Sequence, residues 1–530
     1  MSKRFRAVAL TAALLAAGCL DLNEVPSDFV APENFYKNQA DAIAAVNSVY
    51  ASFINLQVFS SNNYVGRNFW MLVEYPTEYV TSRLSATNER SLIGTFHTQF
   101  NSSHNYLIFY WQAAYAGINR ANAVIERVPA IEMDETRKNQ VIAEAKFLRA
   151  LHYYWLAGMF GGVPLKLTET KAIDEEPLPR ATAAETWAQI AKDLTEAATA
   201  LPNSWPGSDF GRATKGAALT LLGKSYMQSA ATVPELRPAN FNKAIEAFRQ
   251  VQALGYGLAP NYGSLFDGTN ERSNEIIFSF QNIRVDGYGG HKTEWFSPIT
   301  APPVWPAGAQ NQFQAERPFY ESYAANDQRK AATWLTSFTN AGKTVTWAWT
   351  SGIQTSANYG STGPVPRKFV DWGSADSGSD GIDYVILRYA DVLLSLAEAI
   401  NETGGPTAEA YGFVDQVRQR AGLAGLPTGL SQAQFKDAVF LERKYELALE
   451  LHGVFDMRRH WPWAKARVEA QMLLARPVSQ GGQNINASPF NSSVEKFNAT
   501  PIPDKWRLYP IPARAIELNP AMAGQQNPGW

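Results

Sequence analysis

Apolar positions recur with a helical period over most of this chain. Between Asn38 and Phe53, the residues Ile43, Val46, Val49, Tyr50 and Phe53 fall on one face, the spacing of an amphipathic helix. The stretch YLIFYWQAAYAGINRANAVIERV repeats that spacing with Trp111, Tyr115, Ile118, Ala121 and Ile125. Next, RKNQVIAEAKFLRALHYYWLAGMFGGVPL predicts a long helix with Tyr153, Tyr154 and Trp155 in the core, stopped by Gly161, Gly162 and Pro164. In LPRATAAETWAQIAKDLTEAATALP, Thr182 is placed to cap a further helix, with Glu185 three residues on.

The clearest repeating unit is RATKGAALTLLGKSYMQSA followed by NFNKAIEAFRQVQAL. Its first helix has small residues where a neighbour packs closely, and its second buries Ala244, Ile245, Phe248 and Val251. That is the pattern of a tetratricopeptide-like helix pair. A related group returns late, in YVILRYADVLLSLAEAINETGG, AEAYGFVDQVRQRAGL and FKDAVFLERKYELALELHG, with the first helix expected to start at Tyr384. Between them, residues 257–383 lose the rhythm and are rich in Gly, Pro, Ser, Asn and Trp. An insertion of that size in a compact domain points to function, and short strands and loops on a helical frame are expected there. The chain thus divides into a helical-repeat core at about 37–256 and 384–460, an insertion at about 257–383, and a tail at about 461–530. Prolines in that tail forbid one long helix and predict an ordered, wrapped ending.

The first residues change the picture. Lys3, Arg4 and Arg6 precede an apolar run from Ala7 to Gly18, the make-up of a secretory signal. The run is too short to cross a bilayer as a helix. It ends at Cys19, the only cysteine of the 530 residues, so no disulfide can form. Small residues at Ala16, Ala17 and Gly18 fit a lipobox that cuts before Cys19 and places lipid on its sulfur, although the usual Leu is displaced to Leu15. Residues 1–18 are then a signal peptide, and 19–36 a lipidated cysteine with an extended acidic tether. Such processing removes three cations and no anion, leaving 44 Lys and Arg against 49 Asp and Glu. That balance argues against nucleic acid as a partner.

Little of the remaining chain suggests catalysis. ALTLLGKS ends like a phosphate loop, but its first glycine is replaced by Ala218 and the stretch is amphipathic helix. DSGSDGID resembles a calcium loop, yet Gly378 and Leu387 stand where ligands are needed. There is no HExxH and no G-x-S-x-G, and the six histidines lack metal-ligand spacing. No cofactor or metal is expected. Glu442, Glu446 and Glu450 lie four apart on one helix side, which would suit paired glycosidase carboxylates. With Arg388, Arg418, Arg420 and Arg443 on neighbouring apolar segments, a structural ion network is the favoured expectation.

The ordered set of NFYKNQADAIAAVNSVYASF, INRANAVIERV, AEAKFLRALHYYWLAGMFGGVPL, GRATKGAALTLLGKSYM, NEIIFSF, DYVILRYADVLLSLAEAINE, VRQRAGL, ERKYELALELHGVFDMRRH, LYPIPARAIELNP and QQNPGW, following the lipobox and LDLNEVP, resembles the SusD/RagB-like outer-membrane nutrient-binding lipoproteins. The resemblance spans the mature chain. It implies an all-α fold of tetratricopeptide-like helix pairs with a large irregular insertion, and a non-catalytic role. It also implies an outward-facing lipid anchor in the outer membrane, and capture of oligosaccharides or, in some branches, peptides. The implied partner is a SusC-like TonB-dependent transporter. In such proteins the site comes from the loop after the first helices and from the insertion, here residues 67–100 and 284–310. Aromatic faces stack on sugar rings while polar groups bond hydroxyls, and Trp70, Tyr79, Arg83, Phe96, Tyr288, Trp295 and Trp305 are the candidate ligand contacts. The competing classes are an anchored helical glycosidase or polysaccharide lyase, and a ligand-free envelope scaffold.

Overall fold

The structure is a computed structural model that describes residues 35–54, 67–82, 89–171, 177–284, 296, 312–340, 343–346, 364–371, 380–474 and 501–530. Cys19 and its flanks lie outside the described residues.

The long periodic segments form helices. In chain order they are α1 (Gln39–Ile54), α2 (Arg67–Glu74), α3 (Asn105–Arg127), α4 (Glu135–Phe160), α5 (Ala183–Ala200), α6 (Lys215–Thr232) and α7 (Arg237–Gln252). Their ends are set locally. Asp134 caps α4 by accepting from Arg137 N, and Thr182 with Glu185 forms a full capping box on α5. At the other end of α4, Gly161 takes φ 76°, a left-handed stop that glycine adopts without strain. Neighbours in sequence pack side by side from α3 through α7, which gives the expected stack of helix pairs. Close approach within a pair is visible at Gly223 of α6, where an added Cβ would lie 2.5 Å from the buried Phe248 ring of α7.

The insertion contains short strands and short helices: β2 (Ile276–Phe280), β3 (Phe313–Ala315), α8 (Arg317–Glu321), α9 (Arg329–Thr333), β4 (Trp334–Leu335), β5 (Ser337–Asn340), β6 (Lys343–Thr346) and β7 (Val365–Pro366). Strand β8 (Tyr384–Arg388) closes it by pairing antiparallel with β2, Phe280 opposite Tyr384 and Ile276 opposite Arg388. Here the structure corrects the expected helix start at Tyr384. YVILR is a continuous apolar run, buried along its whole length and paired to β2, whereas the helix α10 (Tyr389–Gly404) begins five residues later. The β2–β8 ladder rests on the helical core through Phe278 against Phe147 at 5.0 Å and Phe280 against Phe53 at 4.8 Å.

After β8 the stack resumes. Helix α10 packs on α7, α11 (Ala408–Arg420) and α12 (Gln432–Leu447), followed by α13 (Gly453–Arg459) and α14 (Trp461–Leu474). Helical structure therefore continues past residue 460. The ending, including α15 (Ala513–Leu518), runs back over α3 and α4: Tyr509 N donates to Met159 O at 2.8 Å and Ala513 N to Ser102 O at 2.8 Å. Asn527 fixes the last turn by donating to Phe160 O at 2.9 Å and Tyr509 O at 2.7 Å.

Candidate ligand-binding surface

Two segments far apart in sequence converge where the insertion meets the early loop. Strand β1 (Val80–Ser82), which follows α2, pairs antiparallel with β3 of the insertion, Val80 opposite Ala315 and Ser82 opposite Phe313. An aromatic seam runs beneath this pair. Trp70 meets Phe296 at 5.5 Å, Phe296 meets Phe313 at 5.1 Å, and Phe313 meets Tyr75 at 4.9 Å. Edge and tilted contacts of this kind suit the ring quadrupoles. The Tyr75 hydroxyl completes the seam by donating to Gln312 O at 2.7 Å.

Three nominated residues belong to the interior. Trp70 is 1% exposed, Tyr79 3% and Phe96 2%. Trp70 Nε1 donates to Leu449 O at 3.1 Å. The Tyr79 hydroxyl donates to Glu74, and its ring lies 5.5 Å from Phe319. Phe96 sits edge-on to Trp506 of the tail at 5.0 Å. Their rings present no open face to a sugar, and packing is their role in this structure. The signal was available for Trp70, which lies in the apolar run FWMLV. Arg83, Tyr288, Trp295 and Trp305 lie outside the described residues. In the sequence, Arg83 follows β1 directly and Trp295 immediately precedes Phe296 of the seam.

Below the seam, a tight turn at residues 448–452 joins α12 to α13. Leu449 and Leu451 both take positive φ, 67° and 64°, a costly region for residues with a branched side chain. Several buried groups hold the turn: Glu74 accepts from Leu451 N at 2.6 Å, and Lys368 of the insertion donates to Ala448 O at 2.9 Å and Glu450 at 2.6 Å. Burial raises the Glu74 carboxyl to about 8, outweighing the hydrogen bonds from Tyr79 and Leu451 N. Burial likewise lowers Lys368 to about 8 against the pull of Glu450.

The three carboxylates of α12 and the turn are no more than 2% exposed. Glu442 accepts from Arg329 at 2.6 Å and Arg418 at 2.8 Å. Glu446 accepts from Arg329 at 3.1 Å, Arg388 at 2.6 Å and also Arg420, while Glu450 accepts from Arg388 and Lys368. Glu275 of the insertion joins through Arg388 at 2.8 Å and Arg420 at 3.1 Å. Burial alone would raise Glu446, but Arg420, Arg388 and Arg329 hold it well below the usual carboxylate range. Each of these buried carboxylates is engaged by at least two cationic side chains. Arg443 lies in a second network, bonded to Asp391 at 2.7 Å and Asp456 at 2.7 Å.

One feature of the insertion escaped sequence reasoning. A polar cleft of about 470 Å³ opens between Asn261, Asp267, Thr269, Gln328 and Arg367, floored by Phe266. It offers donors and acceptors of both signs, as sugar hydroxyls require, but its residues come from three separated stretches with no common motif. Among the described residues, no three His, Cys, Asp or Glu are grouped to hold a metal, and no helix is long and apolar enough to cross a membrane.

Fold and seam together define a helical-repeat protein whose insertion is riveted to the frame by buried ion pairs. Residues 240–530 match the SusD family, and residues 27–227 match a family described as starch-binding and associating with the outer membrane. The chain belongs to the SusD family. SusD-like protein P2 of Formosa agariphila is 27% identical over 482 residues, covering 86% of this chain and 90% of that one. The starch-binding protein SusD of Bacteroides thetaiotaomicron is 23% identical over 477 residues, 78% of this chain and 76% of its own. Among solved structures, a SusD homolog from Bacteroides thetaiotaomicron superposes with a TM-score of 0.78 at 24% identity, covering 94% of this chain and 98% of that one. A laminarin-binding SusD-like protein gives 0.70 at 23% identity, covering 93% and 100%. At these identities the superpositions establish the fold.

Proposed function

We propose that this protein binds oligosaccharides at the surface of the outer membrane and passes them to a SusC-like TonB-dependent transporter, without breaking a bond. The observation that carries this reading is membership of the SusD family along the chain, with relatives named for binding starch and laminarin. Two features of the molecule support it. The early loop and the insertion meet at the β1–β3 pair, so residues on both can face one ligand, and the carboxylates that would suit a glycosidase are instead locked in ion pairs. Arg83, Tyr288, Trp295 and Trp305 are the proposed ligand contacts, and the polar cleft around Asp267 and Arg367 is a further region able to bond hydroxyls.

Titration of the purified protein with neutral polysaccharides and peptides should identify a polysaccharide ligand. Trp295→Ala and Trp305→Ala should each weaken its binding roughly tenfold, the loss expected for one stacking aromatic. Full affinity in both variants would place the site elsewhere, a peptide as the only ligand would change the ligand class, and turnover would refute the non-catalytic role.

Cys19 is proposed as the lipid anchor, because stable attachment needs more than one acyl chain and a lipoprotein cysteine supplies them. In native cells the protein should sediment with outer membranes and co-purify with a β-barrel transporter. Cys19→Ala should leave the protein soluble with ligand binding intact. A variant that still sediments would reject the anchor, and wild-type protein isolated without a transporter would reject the partner.

A further inference from the structure

Arg458, the last residue but one of α13, has its side chain almost wholly buried, 2% exposed. Two other buried arginines of α12 and α13 are neutralised: Arg443 reaches Asp391 and Asp456, and Arg459 reaches Glu398 and Asp456. Arg458 has no such partner. Its Nη1 donates to Gly158 O and its guanidinium lies 4.6 Å from the centre of the Tyr509 ring. Its Nε and Nη2 are buried and make no hydrogen bond, and no carboxylate among the described residues pairs with it. Burial pulls this arginine down to about 10, so it remains a cation at neutral pH. A buried charge without a counter-charge is among the costliest features a fold can keep.

Arg458 lines a cleft of about 450 Å³ between the core and the tail, with Lys505 and Arg507 at its edge. The other polar groups there are already engaged. Asp504 accepts from Trp461 Nε1 at 3.0 Å and Lys465 at 3.0 Å, and the Asn527 side chain bonds Phe160 O, Tyr509 O and Arg180. Thr232 donates its hydroxyl to Gln228 O at 2.7 Å. Lys505 lies over the Trp530 ring at 4.0 Å, and neither it nor Arg507 makes an ion pair among the described residues. Three cations thus line one cleft whose single carboxylate bonds Trp461 and Lys465 and, among the three, lies within the field of Arg507. Water could satisfy the free N–H groups, but it would leave the charge uncompensated.

We propose that this cleft binds a compact oxyanion, a sulfate, phosphate or carboxylate group, toward which the Arg458 side chain turns its closed-off Nε and Nη2, with Lys505 and Arg507 flanking the opening. The Nε–Nη2 edge of a guanidinium matches two oxygens of such a group in parallel hydrogen bonds. The cleft is larger than a bare inorganic anion needs and lies within the range of small-molecule sites, so it also admits an anion carried on a sugar ring. This site does not depend on the neutral-glycan surface proposed above.

The test is calorimetric titration of the full chain with sodium sulfate, sodium glucuronate and glucose, at constant ionic strength made up with chloride. One saturable site for sulfate or glucuronate and none for glucose is the expected result. Tighter glucuronate binding would identify a saccharide-borne group, and tighter sulfate binding a free anion. Arg458→Met should abolish binding, and the double variant Lys505→Gln/Arg507→Gln should weaken it at least about tenfold with an unchanged unfolding midpoint. If Arg458→Met does not fold, the double variant decides alone, because its residues sit at the rim. No binding of either anion, equal binding of glucose, or unaltered anion affinity in the double variant would overturn the proposal.

Discussion

Arg388→Met should lower the unfolding free energy by about 3–5 kcal/mol, the range found when one partner is removed from a buried ion network. Arg388 is 1% exposed and donates to Glu275, Glu446 and Glu450 as well as to the Glu446 carbonyl. It stands at the end of β8, opposite Ile276 of β2. The same guanidinium therefore holds the base of the insertion to α12 and to the turn after it. Methionine preserves volume and packing, so the loss would report the charge and its hydrogen bonds. Arg388→Lys should fall between the two, since an ammonium keeps the charge but cannot fork to several carboxylates. Urea unfolding of the three proteins measures this. A cost below about 1 kcal/mol would show that the remaining cations, Arg329, Arg420 and Lys368, suffice.

Stability should fall on both sides of mildly acidic pH, for separate reasons. Glu446, Asp456 and Asp391 are held below their ordinary range because nearby guanidinium and ammonium groups outweigh the cost of burial. A depressed carboxylate contributes stability above its unfolded pKa and loses it as pH falls toward the folded one. His452, lowered to about 3 by burial and by Lys224, adds to this acid limb as pH falls below 6.5. Glu74 works in the opposite direction. Its folded pKa, about 8, stands above the ordinary 4.5, so its contribution is whole below 4.5 and is lost as pH rises through about 8. The slope from one such group reaches about 1.4 kcal/mol per pH unit inside that window. Glu74→Gln should remove this limb, because an amide can accept from Leu451 N, donate to Tyr79 and never ionise. Denaturant midpoints at pH 5 to 9 provide the check, and parallel curves for the two proteins would show that Glu74 does not titrate there.

The stack of helices was legible because burial there follows a period that the sequence displays. Thr182 with Glu185 marked a cap that the structure contains, and the small residues of α6 marked a close approach that Gly223 and Phe248 make. Of the four arginines expected around Glu442, Glu446 and Glu450, Arg388, Arg418 and Arg420 do pair with them, since charges on apolar segments must find each other, whereas Arg443 turns to Asp391 and Asp456. Arg329 and Lys368 were missed, as nothing in the insertion's sequence says which of its cations turn inward. Tyr384–Arg388 was misjudged because an unbroken apolar run looks alike in a buried strand and a buried helix; only its distant partner, Ile276–Phe280, decides. Trp70, Tyr79 and Phe96 show the same limit for the site. Aromatics serve cores and sugar platforms equally well, and the difference lies in which neighbour covers them.

Phe280 and Tyr384, opposite each other in the β2–β8 ladder, bring the two ends of the insertion together at a fixed point on the frame. The entropy of closing a loop grows only with the logarithm of its length, about 0.6 kcal/mol for each doubling. Residues 281–383 could therefore lengthen or shorten by whole loops at little thermodynamic cost, provided that Lys368 and Arg329 keep their places in the buried network. Length changes in the insertion are thereby separated from the helical frame, whose hold on it depends on the β2–β8 ladder and on those two cations.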